Sequence, residues 1–272
     1  MISHGDPRYP KLRKGLVIGG ALLGTYGLLA YVILPSVWTH YEHQRGLKGQ
    51  PMLTRTKQGI PGGPLNIGLV GSQEDVVHAM HATEWYPADP ITLRTSLEII
   101  NSVLLDRPYL KAPVSPLFYQ GRQEDLAYEK QAGASADRRH HVRFWKVLES
   151  GTEGRPVWLG SVTFDRGVGV SRYTGQVTHH IAADIDAERN SLIDDLVQAG
   201  MVATRYQVSG IGPTLNGRNG EGDPYYTDGE IWMAVLAVAG ERQLQPPTEL
   251  TKPVLVATKD ALWGAVAGLF GK

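Results

Sequence analysis

The sequence predicts an α+β fold: a single N-terminal transmembrane helix, then a mixed, largely antiparallel sheet domain with helices mainly on one side. Three observations lead to this prediction. Residues 15–38 carry no charged side chain. Segments rich in β-branched and aromatic residues follow one another closely, and the few helical segments do not alternate regularly with them. The predicted parts are a cytoplasmic segment (1–14), an anchor helix (15–38), a linker (39–64), a soluble domain (65–245) and an amphipathic tail (246–272).

The uncharged stretch is long enough to cross a bilayer as one helix. At about 1.5 Å per residue it spans the ~30 Å hydrocarbon core. Basic residues crowd positions 8–14 before it and are more widely spaced after it. By the positive-inside rule we expect a single-pass protein of the inner membrane, with a cytoplasmic N-terminus and a periplasmic C-terminal domain. A buried core helix is the alternative, although few globular helices lack charge over this length.

Five glycines in the predicted anchor are candidates for contact with other membrane protein subunits. Two pairs have the four-residue spacing that lets helix backbones approach closely. The alternative is that glycine is simply common in membrane helices. The five glycines are Gly15, Gly19, Gly20, Gly24 and Gly27.

Local signals place the elements of the soluble domain. Residues 65–70 are predicted to form a strand, and Ser72 is predicted to cap the helix that follows it. A second helix is predicted after Pro90, with apolar residues at helical spacing. A third is expected from 184 or 186 to 199, with Gly200 as its C-terminal glycine. Further strands are predicted at 116–120, 140–147, 157–164, 201–208 and 230–238.

Two segments stand apart from these elements. Residues 209–228 are rich in glycine, asparagine and aspartate, and long loops of this kind in compact domains are often functional. The tail from 251 predicts a short amphipathic helix that lies on a membrane surface or docks on a partner. Trp263 and Phe270 are its candidate contact residues. Packing of this helix on its own domain is the alternative.

Composition excludes several classes of function. The chain has 27 basic and 27 acidic residues, so it lacks the concentrated positive charge of a nucleic-acid-binding protein. It has no cysteine. Disulfides, cysteine-ligated zinc, iron–sulfur clusters and a cysteine nucleophile are therefore all excluded.

Two histidine doublets are the sharpest candidates for chemistry. One begins a predicted strand at 140–141, and the other, at 179–180, precedes a predicted helix. Because neighbouring strand residues point to opposite faces, only one histidine of an extended doublet can join a given site. One from each doublet, with nearby carboxylates, would form a divalent metal site or a general acid–base pair. Histidines at strand ends bonded to the backbone or to aspartate are the alternative. The candidate metal ligands are His140, His141, His179, His180, Asp184 and Asp186.

Catalytic candidates come from the same region. Arg143 is expected to share a strand face with His141 and to suit bidentate contact with a carboxylate or phosphate. A turn at 165–169 is expected to bring an Asp–Arg pair to the same sheet edge, where a structural ion pair is the alternative. The chain has no His-Glu-x-x-His or Gly-x-Ser-x-Gly motif. The catalytic candidates are therefore His141, Arg143, Asp165, Arg166 and His180.

Longer stretches resemble a known family. They include PLNIGLVGSQEDVVHAMHATEWYPADPITLRTSL, RPYLKAPVSPLFYQGRQEDLAYEK, RRHHVRFW, PVWLGSVTFDRGVGVS, TGQVTHHIAADIDAERNSLIDDL and GPTLNGRNGEGDPYYTDGEIWMAVL. Over residues 64–238 the chain resembles the LssY C-terminal domain family. The resemblance implies a bacterial, membrane-linked protein, whose relatives often carry the domain after DedA-like or PAP2-phosphatase membrane domains. One relative is described as a type I secretion system component. The resemblance brings no established catalytic mechanism, and this chain lacks the upstream membrane domains.

These observations support two hypotheses. The first is a membrane-anchored accessory or scaffold subunit whose extracytoplasmic domain docks on a larger membrane protein assembly, without enzymatic activity or cofactor. The alternative is a membrane-tethered hydrolase that acts on lipid-linked or phosphorylated substrates through the His/Asp/Arg cluster, with or without a divalent metal ion. The missing catalytic motif favours the first, and the histidine doublets favour the second.

Overall fold

The computed structural model describes residues 10–33, 43–44, 46–47, 49–88, 115–133, 137–208, 216–266 and 269. Two compact units make up the chain, Met1–Thr39 and His40–Lys272. The predicted helix after Pro90, the glycine-rich part of the loop at 209–215 and Phe270 all lie outside the described residues.

The first unit contains one helix, α1 (Pro10–Leu28), which continues as a π-helical turn over Leu29–Ile33. This helix begins earlier than the predicted anchor, and proline is well suited to a first helical position because its missing N–H has no partner there. Leucine, isoleucine and valine side chains along it are exposed. Within the described residues, no helix combines the length and apolar character that crossing a membrane requires. Residues 34–38 of the predicted anchor lie outside the described part of the chain.

The second unit contains three α-helices: α2 (Gln73–Ala82), α3 (Ile185–Gln198) and α4 (Val254–Val266). Ser72 caps α2 as predicted, because its Oγ accepts a hydrogen bond from the Asp75 N–H while the Asp75 carboxylate accepts from Ser72 N. Asp184 caps α3 in the same manner, accepting from the Ala187 N–H. After α3, Gly200 adopts a φ of +71°, a conformation that favours glycine.

Fifteen strands occur among the described residues of this unit. In chain order they are β1 (Leu53–Arg55), β2 (Pro61–Pro64), β3 (Ile67–Val70), β4 (Tyr86–Pro87), β5 (Phe118–Tyr119), β6 (Arg122–Gln123), β7 (Leu126–Gln131), β8 (Arg139–Leu148), β9 (Val157–Val170), β10 (Val177–Ile181), β11 (Val202–Val208), β12 (Asn216–Arg218), β13 (Pro224–Tyr226), β14 (Ile231–Leu236) and β15 (Thr248–Glu249).

A nine-stranded sheet forms the centre of the domain. Its order is β15-β11-β14-β3-β9-β8-β7-β4, and β10 pairs with the far end of β9. Only β11–β15 and β14–β3 pair in parallel. A smaller antiparallel sheet has the order β2-β1-β5-β6, and β12 and β13 form a separate hairpin. The predicted mixed α+β fold with a largely antiparallel sheet is therefore confirmed.

The central sheet separates two apolar clusters, as alternating strand residues require. Val142 and Phe144 of β8 pack on one side with Leu192 and Leu196 of α3, and α2 lies on the same side. We call this the helix face. On the other side, Trp145 packs with residues that precede β3, such as Leu47 and Met52 of the N-terminal segment. We call this the cleft face.

Two segments predicted as a linker and a loop contain strands instead. The linker at 39–64 contains β1 and β2, and its apolar side chains are buried in the cleft-face cluster. The described part of the 209–228 loop contains the β12–β13 hairpin. The predicted tail helix is present as α4, in which Trp263 is buried and Leu262 and Val266 are exposed, as is Leu269 beyond its end. Both pairs, β1 with β2 and β12 with β13, are short hairpins, and their glycine- and proline-containing segments resemble loops by composition.

Candidate functional site

A polar cleft of about 320 Å³ opens on the cleft face, over β8 and β9. Its walls come from 56–63 around β2, from 115–117, and from the turn and strand at 174–181. The loop at 219–221 also lines it. The small sheet lies close to the floor of the cleft, since a Cβ on Gly63 would be 3.1 Å from Ser161 Oγ. Segments distant in sequence thus enclose one polar surface.

The floor of the cleft is built by strand alternation. Arg139, His141 and Arg143 lie on the same face of β8 because they are two residues apart. The antiparallel register sets them opposite Asp165, Thr163 and Ser161 of β9, in that order. All six side chains are buried, yet all six line the cleft. A floor this polar inside a folded domain requires internal partners for its charges.

A chain of hydrogen bonds links a hydroxyl, an imidazole and a carboxylate on this floor. His141 Nδ1 lies 3.2 Å from Asp165 Oδ2, and His141 Nε2 lies 2.5 Å from Thr163 Oγ1. With the ring proton on Nδ1, the imidazole donates to Asp165 and accepts from the Thr163 hydroxyl. This is the order of groups in hydroxyl–imidazole–carboxylate catalysis.

Burial and charge set the protonation of this chain. Burial lowers the pKa of His141 and outweighs the opposing charge of Asp165, so the imidazole is neutral at neutral pH. For Asp165, burial favours the protonated form, but the charges and hydrogen bond around it outweigh burial and hold its pKa below the ordinary value. When His141 is neutral its charge no longer contributes, and the Arg139 guanidinium at 3.0 Å keeps Asp165 ionised. This combination suits an imidazole that accepts a proton.

Arg139 holds the same carboxylate oxygen of Asp165 that His141 contacts. Its Nε donates to Asp165 Oδ2 at 3.0 Å, and its Nη1 donates to Glu129 Oε2 at 3.0 Å. All three side chains are buried. Because removing one partner would leave a buried charge uncompensated, this network holds the carboxylate in place.

Arg143 has a different environment. Its Nε and Nη2 donate to the backbone carbonyl oxygen of Ser115 at 3.1 and 2.6 Å. Among the described residues it forms no ion pair. Burial lowers the pKa of Arg143, but a guanidinium remains charged at neutral pH. The cleft therefore contains a buried cation bonded to a neutral group, which suits an anionic ligand.

The structure divides each histidine doublet. His141 and His179 line the cleft. His140 lies on the helix face, where its Nδ1 is 2.6 Å from Glu188 Oε1 and its ring lies 4.9 Å from that of Phe164. His180 Nδ1 lies 2.6 Å from Asp223 Oδ1, beside the loop that lines the cleft. Arg166 is exposed and is not part of the cleft lining.

The predicted carboxylate ligands do not join the histidines. Asp184 caps α3, and Asp186 accepts hydrogen bonds from Thr227 Oγ1 and Asp228 N at 2.7 and 2.6 Å. Burial and the charge of Asp228 raise the pKa of Asp186 to about 6, against the opposing charge of Arg189. In the described part of the chain, no group of three histidine or carboxylate side chains is arranged to hold a metal ion. These aspartates organise the start of α3 instead.

Three functional candidates were absent from the sequence-based set: Thr163, Arg139 and Ser161. A usable signal was present, since the polar residues at 161, 163 and 165 alternate with apolar residues, and those at 139, 141 and 143 are spaced by two, with apolar residues at 142 and 144. In a buried strand, polar residues spaced by two indicate a polar surface on one face. The sequence pattern does not show that β8 pairs with β9, and this pairing brings the two sets of polar residues together.

One family model describes the chain. It is named LssY C-terminus, and it matches residues 47–231. No curated protein and no solved structure matches the chain. The matched residues include every strand that forms the cleft floor, and they agree with the resemblance read from residues 64–238. Since the match covers more than half of its length, the chain belongs to the LssY C-terminal domain family.

Proposed function

We propose that this chain is a membrane-tethered hydrolase that acts on phosphorylated or lipid-linked esters in the cleft. The observation that carries this proposal is the Thr163–His141–Asp165 hydrogen-bond chain. Thr163 lines the cleft, and the imidazole and carboxylate have the protonation states that a base and its orienting group need.

Each group of the chain has a distinct role in this proposal. His141 takes the proton of the Thr163 hydroxyl as the oxygen attacks the phosphorus or carbonyl carbon of the ester. Asp165 holds the ring in the correct tautomer and stabilises the imidazolium that forms. The proton then passes from His141 to the leaving alcohol, and water releases the product from Thr163 by the reverse use of the same base.

Arg143 would bind the anionic part of the substrate. Its guanidinium points at a neutral carbonyl group rather than a carboxylate, so a phosphate oxygen would not have to displace an ion pair. The half-buried His179 also lines the cleft. A metal ion is not needed for these steps.

The tether is the first unit of the chain. Exposed apolar side chains along α1 and the uncharged residues up to 38 support attachment to a bilayer. We propose an inner-membrane location, with the basic N-terminal flank in the cytoplasm and the second unit in the periplasm. The bilayer would keep the cleft close to lipid-linked substrates.

Covalent labelling of the detergent-solubilised full chain tests the hydrolase proposal. A fluorophosphonate reacts with an activated hydroxyl by forming an O–P bond and releasing fluoride, while the hydroxyl proton goes to the base. We expect one adduct, located on Thr163 by peptide mass spectrometry. His141→Gln should abolish it and His140→Gln should not, because His140 lies on the helix face. No adduct, or equal labelling of both variants, would contradict the proposal.

Protection by inorganic phosphate tests the role of Arg143. Phosphate should slow the labelling of Thr163 and raise the unfolding temperature of the wild-type chain, since a ligand that binds only the folded state stabilises it. Arg143→Gln should lose both effects. Arg122→Gln is the matched control, because Arg122 is exposed and pairs with Asp125 outside the cleft lining.

The second candidate function is an accessory subunit of a larger membrane assembly. It is supported by the glycines of α1, each of which has open space around the position of a Cβ. Close packing of another helix on Gly20 and Gly24 would use that space. Purification in mild detergent should then recover a stoichiometric partner protein, and Gly20→Leu with Gly24→Leu should release it. A strictly monomeric wild-type chain would contradict this second candidate.

A further inference from the structure

A two-stranded arm extends from the edge of the cleft. The first part of β9 pairs with β8 up to Asp165, whereas residues 167–170 pair with β10. The turn at 171–176 joins the two strands. We call residues 166–180 the arm. Beyond β8 the arm contacts the loop at 221–223, since Arg172 N–H donates to the Glu221 carbonyl and His180 bonds to Asp223, and most of its other side chains are exposed.

Apolar side chains form a strip on one face of the arm. Val170 lies directly opposite Val177 across the ladder, and Val168 is two residues from Val170, so these three side chains share a face. Their exposed fractions are 57%, 79% and 40% in that order, and Tyr173 at the turn is 51% exposed. Keeping such a strip in water is unfavourable, and contiguous exposed apolar surface usually marks an interaction site.

The arm carries positively charged side chains and no negatively charged ones, which favours an anionic partner. Residues 166–183 contain no aspartate or glutamate. Arg166 and Arg172 are exposed, and neither forms an ion pair with another described residue. Valines, an interfacial tyrosine and uncompensated arginines together suit the headgroup region of an anionic bilayer, where arginines meet phosphates and the apolar side chains enter the acyl boundary.

The arm is also part of the cleft. Thr174, Gln176 and Thr178 belong to the arm and line the cleft wall. An arm that rests on a bilayer would therefore bring the mouth of the cleft to the level of the lipid headgroups. A soluble substrate would gain nothing from this arrangement, whereas a headgroup ester could enter the cleft directly.

We infer that the arm docks on the surface of an anionic bilayer and that the substrate is the phosphate-bearing headgroup of a membrane amphiphile. The docking part stands without the proposed hydrolase activity, and the substrate part rests on it. The partner is the bilayer that holds the chain rather than a second protein, because the arm combines an apolar strip with two exposed arginines that form no ion pair with another described residue.

The absence of native cysteine allows a direct test on the full chain. Val177→Cys carries an environment-sensitive fluorophore, and the chain is reconstituted in phosphatidylcholine vesicles with or without phosphatidylglycerol. We expect a blue shift and quenching by spin-labelled lipid only in the vesicles that contain phosphatidylglycerol. Leu244→Cys, at a position 96% exposed outside the arm, is the matched control and should report water in both.

Charge reversal completes the test. Arg166→Glu with Arg172→Glu should abolish the response at Val177, because the arginines provide the attraction to anionic lipid. An unchanged probe, or an equal response in both kinds of vesicle, would overturn the inference. The fluorescence response does not require catalysis, so its result is independent of the fluorophosphonate result. Docking of the arm without labelling of Thr163 would reject the proposed hydrolase activity. Labelling without docking would reject the proposed role of the arm.

Discussion

The two faces of the central sheet differ in chemistry, although neighbouring residues of the same strand supply both. On the helix face, Val142 and Phe144 are fully buried among the apolar residues of α3, and His140 bonds to Glu188 of the same helix. On the cleft face, Arg139, His141 and Arg143 form a polar floor under a cleft. One strand thus supplies a stabilising core on one side and buried reactive groups on the other. Burial of apolar side chains on the helix face offsets the free energy that desolvation of the buried charges on the cleft face costs.

The largest expected effect comes from Asp165→Asn. The amide would donate to His141 Nδ1, so the ring would carry its proton on Nε2 and could not accept one from Thr163. A change of this kind in a hydroxyl–imidazole–carboxylate triad slows reaction by about 10,000-fold. The rate of fluorophosphonate labelling measures it. Asp195→Asn, in a surface pair with Lys130, is the matched control and should label at the wild-type rate.

Phe144→Ala tests the opposite face of the same strand. Phe144 is fully buried on the helix face, so truncating it should lower the free energy of unfolding by about 3–5 kcal/mol. Denaturation by urea measures this loss. The molecules that remain folded should still label at Thr163. If Phe144→Ala stopped labelling while leaving stability unchanged, the division between the two faces would be wrong.

The cap of α2 predicts a smaller, pH-dependent effect on the helix face. Burial opposes ionisation of Asp75, but hydrogen bonds from Arg155 and Ser72 outweigh it and lower the pKa of Asp75 to about 2. Its stabilisation is therefore complete above the unfolded value of 3.8 and is lost as the pH falls towards 2. Asp75→Ala should cost about 1–2 kcal/mol at neutral pH.

Urea denaturation at several pH values measures this contribution. The difference between wild type and Asp75→Ala should shrink as the pH falls below 3.8. Glu74→Ala is the control, since Glu74 lies in the same helical turn and is exposed. A difference that grew in acid would contradict the assigned direction of the pKa shift.

The smallest effect is expected from His140→Gln. His140 is partly exposed, and its hydrogen bond to Glu188 is worth about 1 kcal/mol. Stability should fall by that amount or less, and labelling of Thr163 should not change. A large loss of labelling would show that the two histidines of the doublet act together, which the strand geometry does not allow.

Local signals in the sequence predicted much of the fold. The cap at Ser72, the strand around 140–147 and the helix ended by Gly200 each depend on residues within a few positions, so the pattern is visible in the chain. Strands β1 and β2 were missed because they are short and β2 consists of glycine and proline, a composition typical of loops. Residues 39–64 look like a linker by composition, yet they form one wall of the cleft.

The site was predictable only in part for the same reason. Alternation indicates that His140 and His141 face opposite ways, and it predicts that Arg143 accompanies His141. It does not indicate which face is open. The floor of the cleft also needs Asp165 and Thr163 of β9, more than twenty positions later in the chain. The sequence pattern likewise does not reveal that His180 pairs with Asp223. The family resemblance indicated the extent of the domain but implied no catalytic mechanism.

The pH dependence of Thr163 labelling tests the central claim most directly. If a neutral His141 is the base, the labelling rate in the full chain should rise with pH through an apparent pKa below 6.5 and then stay constant, because burial lowers the pKa of this imidazole. The His140→Gln variant should give the same profile. A profile with its midpoint above 6.5, or one that persists in His141→Gln, would contradict the account.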